Sequence, residues 1–365
     1  MKIVVVGLRG FPNIQGGIET HCEELYPRLV ALGHDVTVVR RCGFVKENPP
    51  MISYKGVKFK DINSPFIIGL EAAIHTFKGI WYAKKVNADI VHIHAIGPSI
   101  TIPLAKLLGL KIVMTHHGLD YDREKWGFLA RFILKIGETF AALFAKDIIS
   151  ISTVISETLK KKYNRSKRVH LIYNGITTFP SPNIDKSEYL KSIGLQPGKY
   201  ILAVGRFVEE KRFDRLIEAF IKLKRPEYQL VIVGNTDYKT DYCYFLKDFA
   251  IENQVILPGI VKGQNLSDLY ANAALFVLPS SHEGLPISLL EAMSFERKVL
   301  ASDIPANLAI GLPQNNYFKL NNLEDMITHI QILLDKKESN QTYDITKYNW
   351  DHIAKLVDLV YKETK

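Results

Sequence analysis

The residues with the most chemistry in this chain are Ser281-His282-Glu283-Gly284-Leu285-Pro286, followed by Glu291-Ala292-Met293. Two carboxylates bracket a Gly-Leu-Pro turn, and an apolar helical run begins at that turn. Residues 274–279 read as a buried parallel strand, and Pro286 falls where the first helical residue should be. The unpaired N–H groups of such a helix start suit an anion. A carboxylate only accepts hydrogen bonds, so Glu283 and Glu291 suit the paired hydroxyls of a ribose or a sugar ring. Amides for phosphate and acids for hydroxyls together describe a nucleotide-sugar.

A second constellation agrees. Residues 199–205 form another apolar run ending at Gly205, with Arg206 next and Lys211 five residues further on. Phe213, Leu216, Ile217 and Phe220 then recur at helical spacing. Arg206 and Lys211 therefore flank a strand-to-helix turn, where ligands bind in open α/β sheets. Two cations there would neutralise a diphosphate.

Gly205-Arg206 with Lys211, then Glu283 and Glu291 separated by seven residues about 70 positions later, resemble glycosyltransferase family 4, a retaining family of GT-B fold. The opening Gly7-Leu8-Arg9-Gly10-Phe11-Pro12 and Gly16-Gly17-Ile18-Glu19 are similar to the subgroup that includes bacterial rhamnosyltransferases and other surface-polysaccharide transferases. The resemblance covers nearly the whole chain. It implies two Rossmann-like, doubly wound α/β domains facing a central cleft, with a last helix crossing back to the first domain. It also implies transfer of a hexosyl unit, rhamnosyl among the options, from a nucleoside-diphosphate sugar to a hydroxyl of a growing, lipid-linked bacterial surface glycan. Retention in the family needs no enzyme nucleophile, and none is assigned. No cofactor and no metal is expected.

Within that resemblance the donor group is Gly16, Gly17, Gly205, Arg206, Lys211, Gly284, Leu285, Pro286 and Glu291, and the catalytic group is Glu283, His117, Arg206 and Lys211. Preplaced cations and amides beside the departing diphosphate favour the transition state over the ground state. Two departures from the family pattern stand out. Residues 294–299 lack the usual glycine and proline, and Arg212 stands where glycine is common.

Thr115-His116-His117-Gly118 follows an apolar strand, which places histidines at a carboxyl end. One of the pair matches the family's donor-sugar histidine, and the pattern does not choose between them. His117, directly before the glycine, goes with the catalytic group; His116 goes with Glu19 and Asp120 on the acceptor side. Asp120-Tyr121-Asp122 matches the Asp-x-Asp metal motif of a different glycosyltransferase fold and is read here as coincidence or an acceptor-side loop. Gly7-x-x-Gly10 lacks the order of a dinucleotide fingerprint, and the second strand ends in Arg40-Arg41 with no acid placed for an NAD ribose. Gly16-Gly17 fits a loop that admits a sugar or phosphate close to the backbone, or a plain helix-start turn.

The elements that must position these groups alternate strand and helix. Strands are expected near 2–7, 35–40, 57–61, 89–94, 111–116, 147–152 and 169–172, with helices near 17–32, 67–87, 99–108, 126–145 and 155–163. Residues 177–183, with two prolines in three positions, read as a linker. Further strands are expected near 199–205, 229–234, 254–258, 274–279 and 298–302, with a final helix from about Asp351. The domain boundaries are 1–178 for an acceptor-binding domain, 179–347 for a donor-binding domain and 348–365 for the returning helix.

At 365 residues and 47% hydrophobic content the chain fills two ordinary cores. No apolar run approaches a membrane span, and the opening run is too short for a signal peptide. Cys22, Cys42 and Cys243 have neither metal spacing nor even pairing, which fits a reducing cytoplasmic setting. Residues 1–180 carry 25 Lys and Arg against 14 Asp and Glu, the remainder 22 against 24. That asymmetry reads either as solubility or as attraction of an acidic partner by the first half. No nucleic-acid-binding signature accompanies it. Phe66, Phe77, Trp81 and Tyr82 interleave with Lys78, Lys84 and Lys85, and residues 125–146 mix aromatics with lysines. Such stripes either pack on the sheet or make a peripheral contact with an anionic membrane on the cytoplasmic face. Two other functions stay open: a sugar-nucleotide epimerase of the same architecture, and a non-catalytic nucleotide-sugar binder.

Overall fold

The structure is a computed structural model that describes all residues except 15, 46, 48, 65–70, 123–126, 178, 237–239 and 339. It divides into two compact units: unit 1 is Met1–Gly175 with Lys347–Lys365, and unit 2 is Ile176–Thr346. Thr178, at the expected first boundary, lies outside the described residues, as do Phe66 and the expected starts of the helices near 67 and 126.

Unit 1 is built on strands β1 (Lys2–Val6), β2 (Asp35–Arg41), β3 (Ser53–Tyr54), β4 (Val57–Ile62), β5 (Ile90–His94), β6 (Ile112–His116), β7 (Asp147–Ser150) and β8 (Val169–Leu171). Its helices are α1 (Gly17–Ala31), α2 (Glu71–Lys85), α3 (Ile102–Leu107), α4 (Phe128–Phe144) and α5 (Thr153–Tyr163). The sheet order is β3-β4-β2-β1-β5-β6-β7-β8, parallel apart from the β3–β4 pair. β1 reads Lys-Ile-Val-Val-Val and is buried from its second residue on, as expected for a central parallel strand covered on both faces.

Unit 2 holds α6 (Glu188–Ser192), β9 (Tyr200–Val204), α7 (Phe213–Leu223), β10 (Gln229–Val233), α8 (Asp241–Glu252), α9 (Gly263–Ala271), β11 (Leu275–Leu278), α10 (Ile287–Ser294), β12 (Val299–Ser302), α11 (Pro305–Leu308), β13 (Tyr317–Phe318) and α12 (Leu323–Asp335). Its all-parallel sheet runs β10-β9-β11-β12-β13. The strand expected at 254–258 is not formed. Ile256 alone bridges to Val231 at the sheet edge, because Gln254 is left-handed at φ 57 and Pro258 has no N–H to extend a ladder.

The last helix, α13 (Trp350–Thr364), belongs to unit 1 and packs on α1. Asn349 caps it, its side-chain oxygen accepting from the amides of Asp351 and His352. Trp350, Ile353, Val357 and Tyr361 enter the same core as Ile3, Val5, Leu25 and Tyr26. A Cβ on Gly175 would lie 2.4 Å from the Trp350 ring, so only glycine admits that indole. Among the described residues no helix is long and apolar enough to cross a membrane.

Candidate functional site

In unit 2 the chain leaves β9 for β10 on one side, while β11 lies on the other. The strand order reverses between β9 and β11, and ligands of open parallel sheets bind outside the carboxyl ends at such a reversal. The two loops that emerge there carry Gly205 to Lys211 and Ser280 to Pro286. They are tied together: the Ser281 amide donates to the Glu210 carbonyl at 2.9 Å, and the Lys211 ammonium lies 2.5 Å from Glu283 Oε1. Burial pushes the Glu283 carboxyl up, but the charge and hydrogen bond of Lys211 outweigh it and hold the carboxyl below its usual range.

Local geometry explains the placement of Lys211. A one-turn 3-10 helix spans Glu209–Lys211, and Arg212 then takes a left-handed φ of 53 before α7 starts at Phe213. That conformation accounts for glycine being common at this place in the resembled family; here Arg212 adopts it at a modest steric cost. Gly205 has a separate reason. A Cβ there would sit 3.2 Å from the Phe213 ring and 3.4 Å from the Lys211 stem. The bare α-carbon lets the lysine stem lie across it. Arg206, half-buried, occupies the loop between them, and the neighbouring Phe207 amide is anchored on the Asn235 carbonyl at 3.1 Å.

Pro286 is not the first helical residue. It is the extended residue just before α10, and Ile287 opens the helix. The unpaired amides are therefore those of Ile287, Ser288 and Leu289, one position later than expected. Glu291, buried in α10, accepts a 2.8 Å hydrogen bond from the Tyr270 hydroxyl. Burial and the Glu291 charge together push the Tyr270 hydroxyl well up. Tyr270 comes from α9 and is stacked on Phe295, with ring centroids 5.6 Å apart. Nothing in the spacing of the sequence signalled Tyr270 as the partner of Glu291.

In unit 1 the order reverses between β1 and β5, so the loops after these strands occupy the equivalent place. Glu19 is buried on Arg9: Oε1 accepts from the Arg9 amide at 3.2 Å and from Nε at 3.1 Å, and Oε2 accepts from the guanidinium at 3.3 Å. A Cβ on Gly16 would lie 2.0 Å from Glu19 Oε2, whereas one on Gly17 would meet nothing within 4 Å. A side chain at Gly16 would displace the Glu19 carboxylate from Arg9, whereas open space adjoins Gly17. Glu19, expected on the acceptor side, serves to hold this loop.

The two histidines at the end of β6 part company because successive strand residues face opposite sides. His116 turns toward α4, is fully buried, and lies 3.2 Å from Glu138 Oε1. Glu138 also takes the Tyr121 hydroxyl at 3.2 Å, Lys162 at 2.5 Å and the Tyr163 hydroxyl at 2.7 Å. Burial raises the Glu138 carboxyl, and these partners bring it down to about 2. His116 therefore braces the interior of unit 1, contrary to its expected place on the acceptor side. Asp120 opens a 3-10 turn, Asp120–Asp122, and is half-buried.

His117 turns to the α1 side and is partly exposed. Its Nε2 is 2.8 Å from His94 Nδ1, and the two rings stack at 5.1 Å. Behind them, Tyr26 reaches His94 Nε2 at 2.5 Å and His92 Nδ1 at 3.0 Å, and Tyr361 reaches His92 Nδ1 at 2.6 Å. His21 Nδ1 bonds to Asn174 Oδ1 at 2.7 Å. Burial, and then the neighbouring imidazoles, hold His94 and His117 well below their usual range, and burial brings His21 down to about 4. His21, His94 and His117 offer three ring nitrogens within 4.8 Å of one another, the donor set a transition metal would take. The 2.8 Å His94–His117 contact pairs one nitrogen of each ring as an N–H···N bond, while His21 Nε2 is buried with no hydrogen-bond partner among the described residues. His92-x-His94 at the end of β5 was readable as same-face alternation; His21 and Asn174 carried no sequence signal.

Residues 185–363 match the family model described as glycosyl transferases group 1, and residues 15–178 match the model described as glycosyltransferase family 4. An uncharacterized glycosyltransferase of Methanocaldococcus jannaschii is 27% identical over 99% of this chain and 98% of its own length. The Escherichia coli UDP-Gal:α-D-GlcNAc-diphosphoundecaprenol α-1,3-galactosyltransferase is 27% identical, the match covering 70% of this chain and 69% of that protein. Among solved structures, Anabaena HepE in complex with UDP and glucose superposes with a TM-score of 0.76 at 17% identity, over 100% of this chain and 98% of that one.

Proposed function

The chain belongs to the glycosyltransferases, its two halves matching the group 1 and family 4 models and its fold being GT-B, and from that premise we propose that unit 2 binds a nucleoside-diphosphate sugar with the groups around Lys211 and Glu283. The observation that carries this reading is the Lys211–Glu283 pair at the carboxyl ends of β9 and β11. An ammonium has three donors. Glu283 uses one and fixes its direction, which leaves two for phosphate oxygens. The pair is net neutral, so the remaining charge of the leaving diphosphate falls to Arg206 and to the amides of Gly284, Leu285, Ile287 and Ser288. These groups act on charge that grows as the bond to the anomeric carbon breaks, which is where preorganised donors lower a barrier most.

Glu291 takes the ribose hydroxyls in this reading, with Tyr270 locking its rotamer, and Glu283 takes hydroxyls of the transferred ring. On unit 1, His117 supplies a neutral ring to a substrate hydroxyl, its tautomer set by His94. The transfer retains anomeric configuration, and the sugar is a hexosyl unit. The acceptor is a lipid-linked glycan of a bacterial surface polysaccharide; the named acceptor of the Escherichia coli relative supports that class, and UDP-glucose-type donors are supported by the ligands of HepE. Neither a metal nor a cofactor enters the proposed chemistry.

Thermal-shift measurements over UDP-, GDP- and dTDP-sugars test the donor, since a ligand bound only by the folded protein raises Tm with concentration over Kd. Incubation of the responding donor with and without a polyprenyl-diphosphate glycan separates transfer from epimerisation, and NMR of the product reads the anomeric configuration. No shift with any donor would remove the reading of unit 2.

A further inference from the structure

His21 carries a lone pair that the fold does not use. A carboxamide oxygen only accepts, so Asn174 Oδ1 at 2.7 Å fixes the His21 proton on Nδ1. Nε2 is then a bare acceptor, buried with no hydrogen-bond partner among the described residues. Leaving such a group unmet costs stability, yet the ring is firmly held. Trp350, His94 and His117 pack edge-on against it, with ring centroids 5.3, 5.6 and 5.0 Å away.

The neighbours supply the rest of a ligand set. His94 Nε2 is committed to Tyr26, which leaves Nδ1, 2.8 Å from His117 Nε2. One nitrogen from each of the three rings lies within 4.8 Å of the others. Burial holds all three imidazoles neutral, so no proton need leave first. Cys22 does not join them: its sulfur lies on His94 Nε2, the committed nitrogen, and burial keeps the thiol protonated. Three imidazoles without a carboxylate suit zinc and its neighbours over magnesium or calcium.

We propose that His21, His94 and His117 bind a zinc ion in unit 1, with Asn174 orienting His21 and a water in the fourth position. Tetrahedral ligands at about 2.0–2.1 Å stand roughly 3.3 Å apart. His94 and His117 therefore part by about half an ångström, and His21 closes by at most about 1.5 Å. The ion takes the nitrogen through which His94 sets the tautomer of His117, so occupancy inhibits transfer. That consequence rests on the role given to His117 above; binding itself does not.

The test is calorimetric titration of the chelator-stripped full chain with zinc chloride, beside X-ray absorption of the zinc complex. The expected results are one zinc per chain, a Tm that rises with zinc and not with magnesium, and three imidazole shells. His21→Phe keeps an aromatic ring in place and lowers affinity by roughly hundredfold or more, whereas Asn174→Ala, which only frees the ring, lowers it about tenfold. Should His21→Phe fail to fold, the absorption spectrum of the parent decides alone. No titratable zinc, fewer than three imidazole shells, or parent affinity in a folded His21→Phe would each overturn the proposal. Zinc bound in this way without inhibition would uphold the site and remove His117 from the substrate hydroxyl.

Discussion

Lys211 and Glu283 are 72 positions apart in the chain and 2.5 Å apart in space, each held on a loop that follows one of two adjacent parallel strands. Removing either partner strands the other in a largely buried place. Lys211→Ala is expected to lower kcat by roughly 10²–10³ and to lower Tm. Glu283→Gln keeps a hydrogen-bond acceptor and is expected to lower Tm less than Lys211→Ala while reducing turnover comparably. Steady-state kinetics beside differential scanning calorimetry check both. Parent-like turnover in Lys211→Ala would take this lysine out of the reaction.

Glu291 and Tyr270 give a second, graded pair. Glu291→Ala is expected to weaken nucleotide-sugar binding by at least tenfold. Tyr270→Phe removes one hydrogen bond to a charged group, worth about 1.5–3 kcal/mol, and loosens the carboxylate without deleting it. Calorimetric titration with the donor found by thermal shift should place Tyr270→Phe between the parent and Glu291→Ala. Identical affinities for all three proteins would deny Glu291 contact with the nucleotide.

Gly16 and Gly17 are adjacent and predict opposite outcomes. Gly16→Ala drives a Cβ into Glu19 Oε2 and is expected to break the Arg9–Glu19 pair, with a fall in Tm. Gly17→Ala meets open space, so Tm should hold. If a ligand approaches this backbone closely, the added methyl raises KM. Melting curves and substrate titrations on the two variants separate the roles.

The histidines set a pH window. Burial lowers His21 and His75 to about 4 and His92 to about 3. In the unfolded chain each takes a proton near pH 6.5. Their folded values are depressed, so this stabilisation is complete above 6.5 and is lost as pH falls toward 4. For His21 alone the swing is of the order of 3 kcal/mol. Glu138, lowered to about 2, extends the loss from about 4.5 downward by the same sign. Tm should therefore fall steeply between pH 7 and pH 5. His21→Asn should flatten that limb; an unchanged slope would mean that His21 is not held neutral by the fold.

The strands came through in the sequence as unbroken apolar runs because parallel strands are covered on both faces, and the helices came through as 3.6-residue periodicity. What escaped was short or local. β3 and β13 are two residues each, too short for any period, and residues 254–258 look like a strand until Pro258 is asked to donate. In the site, the acids and cations were visible as residue types at helix starts. Their pairing was not, since a partner across 72 positions leaves no periodic trace. The parting of His116 from His117 was in principle visible: alternation along β6 sends neighbours to opposite faces, and Thr115, bonded to His92 at 2.7 Å, marks the side that His117 shares.

Unit 1 is assembled from two stretches of chain separated by the whole of unit 2. On a ribosome moving at roughly 5–20 residues per second, α13 begins to emerge about nine to thirty-five seconds after Gly175. Through that interval the slot beside Gly175 lacks its indole, and His92 lacks the Tyr361 hydroxyl. A nascent chain paused there carries an open apolar seam along α1 that closes only when Trp350, Ile353, Val357 and Tyr361 arrive.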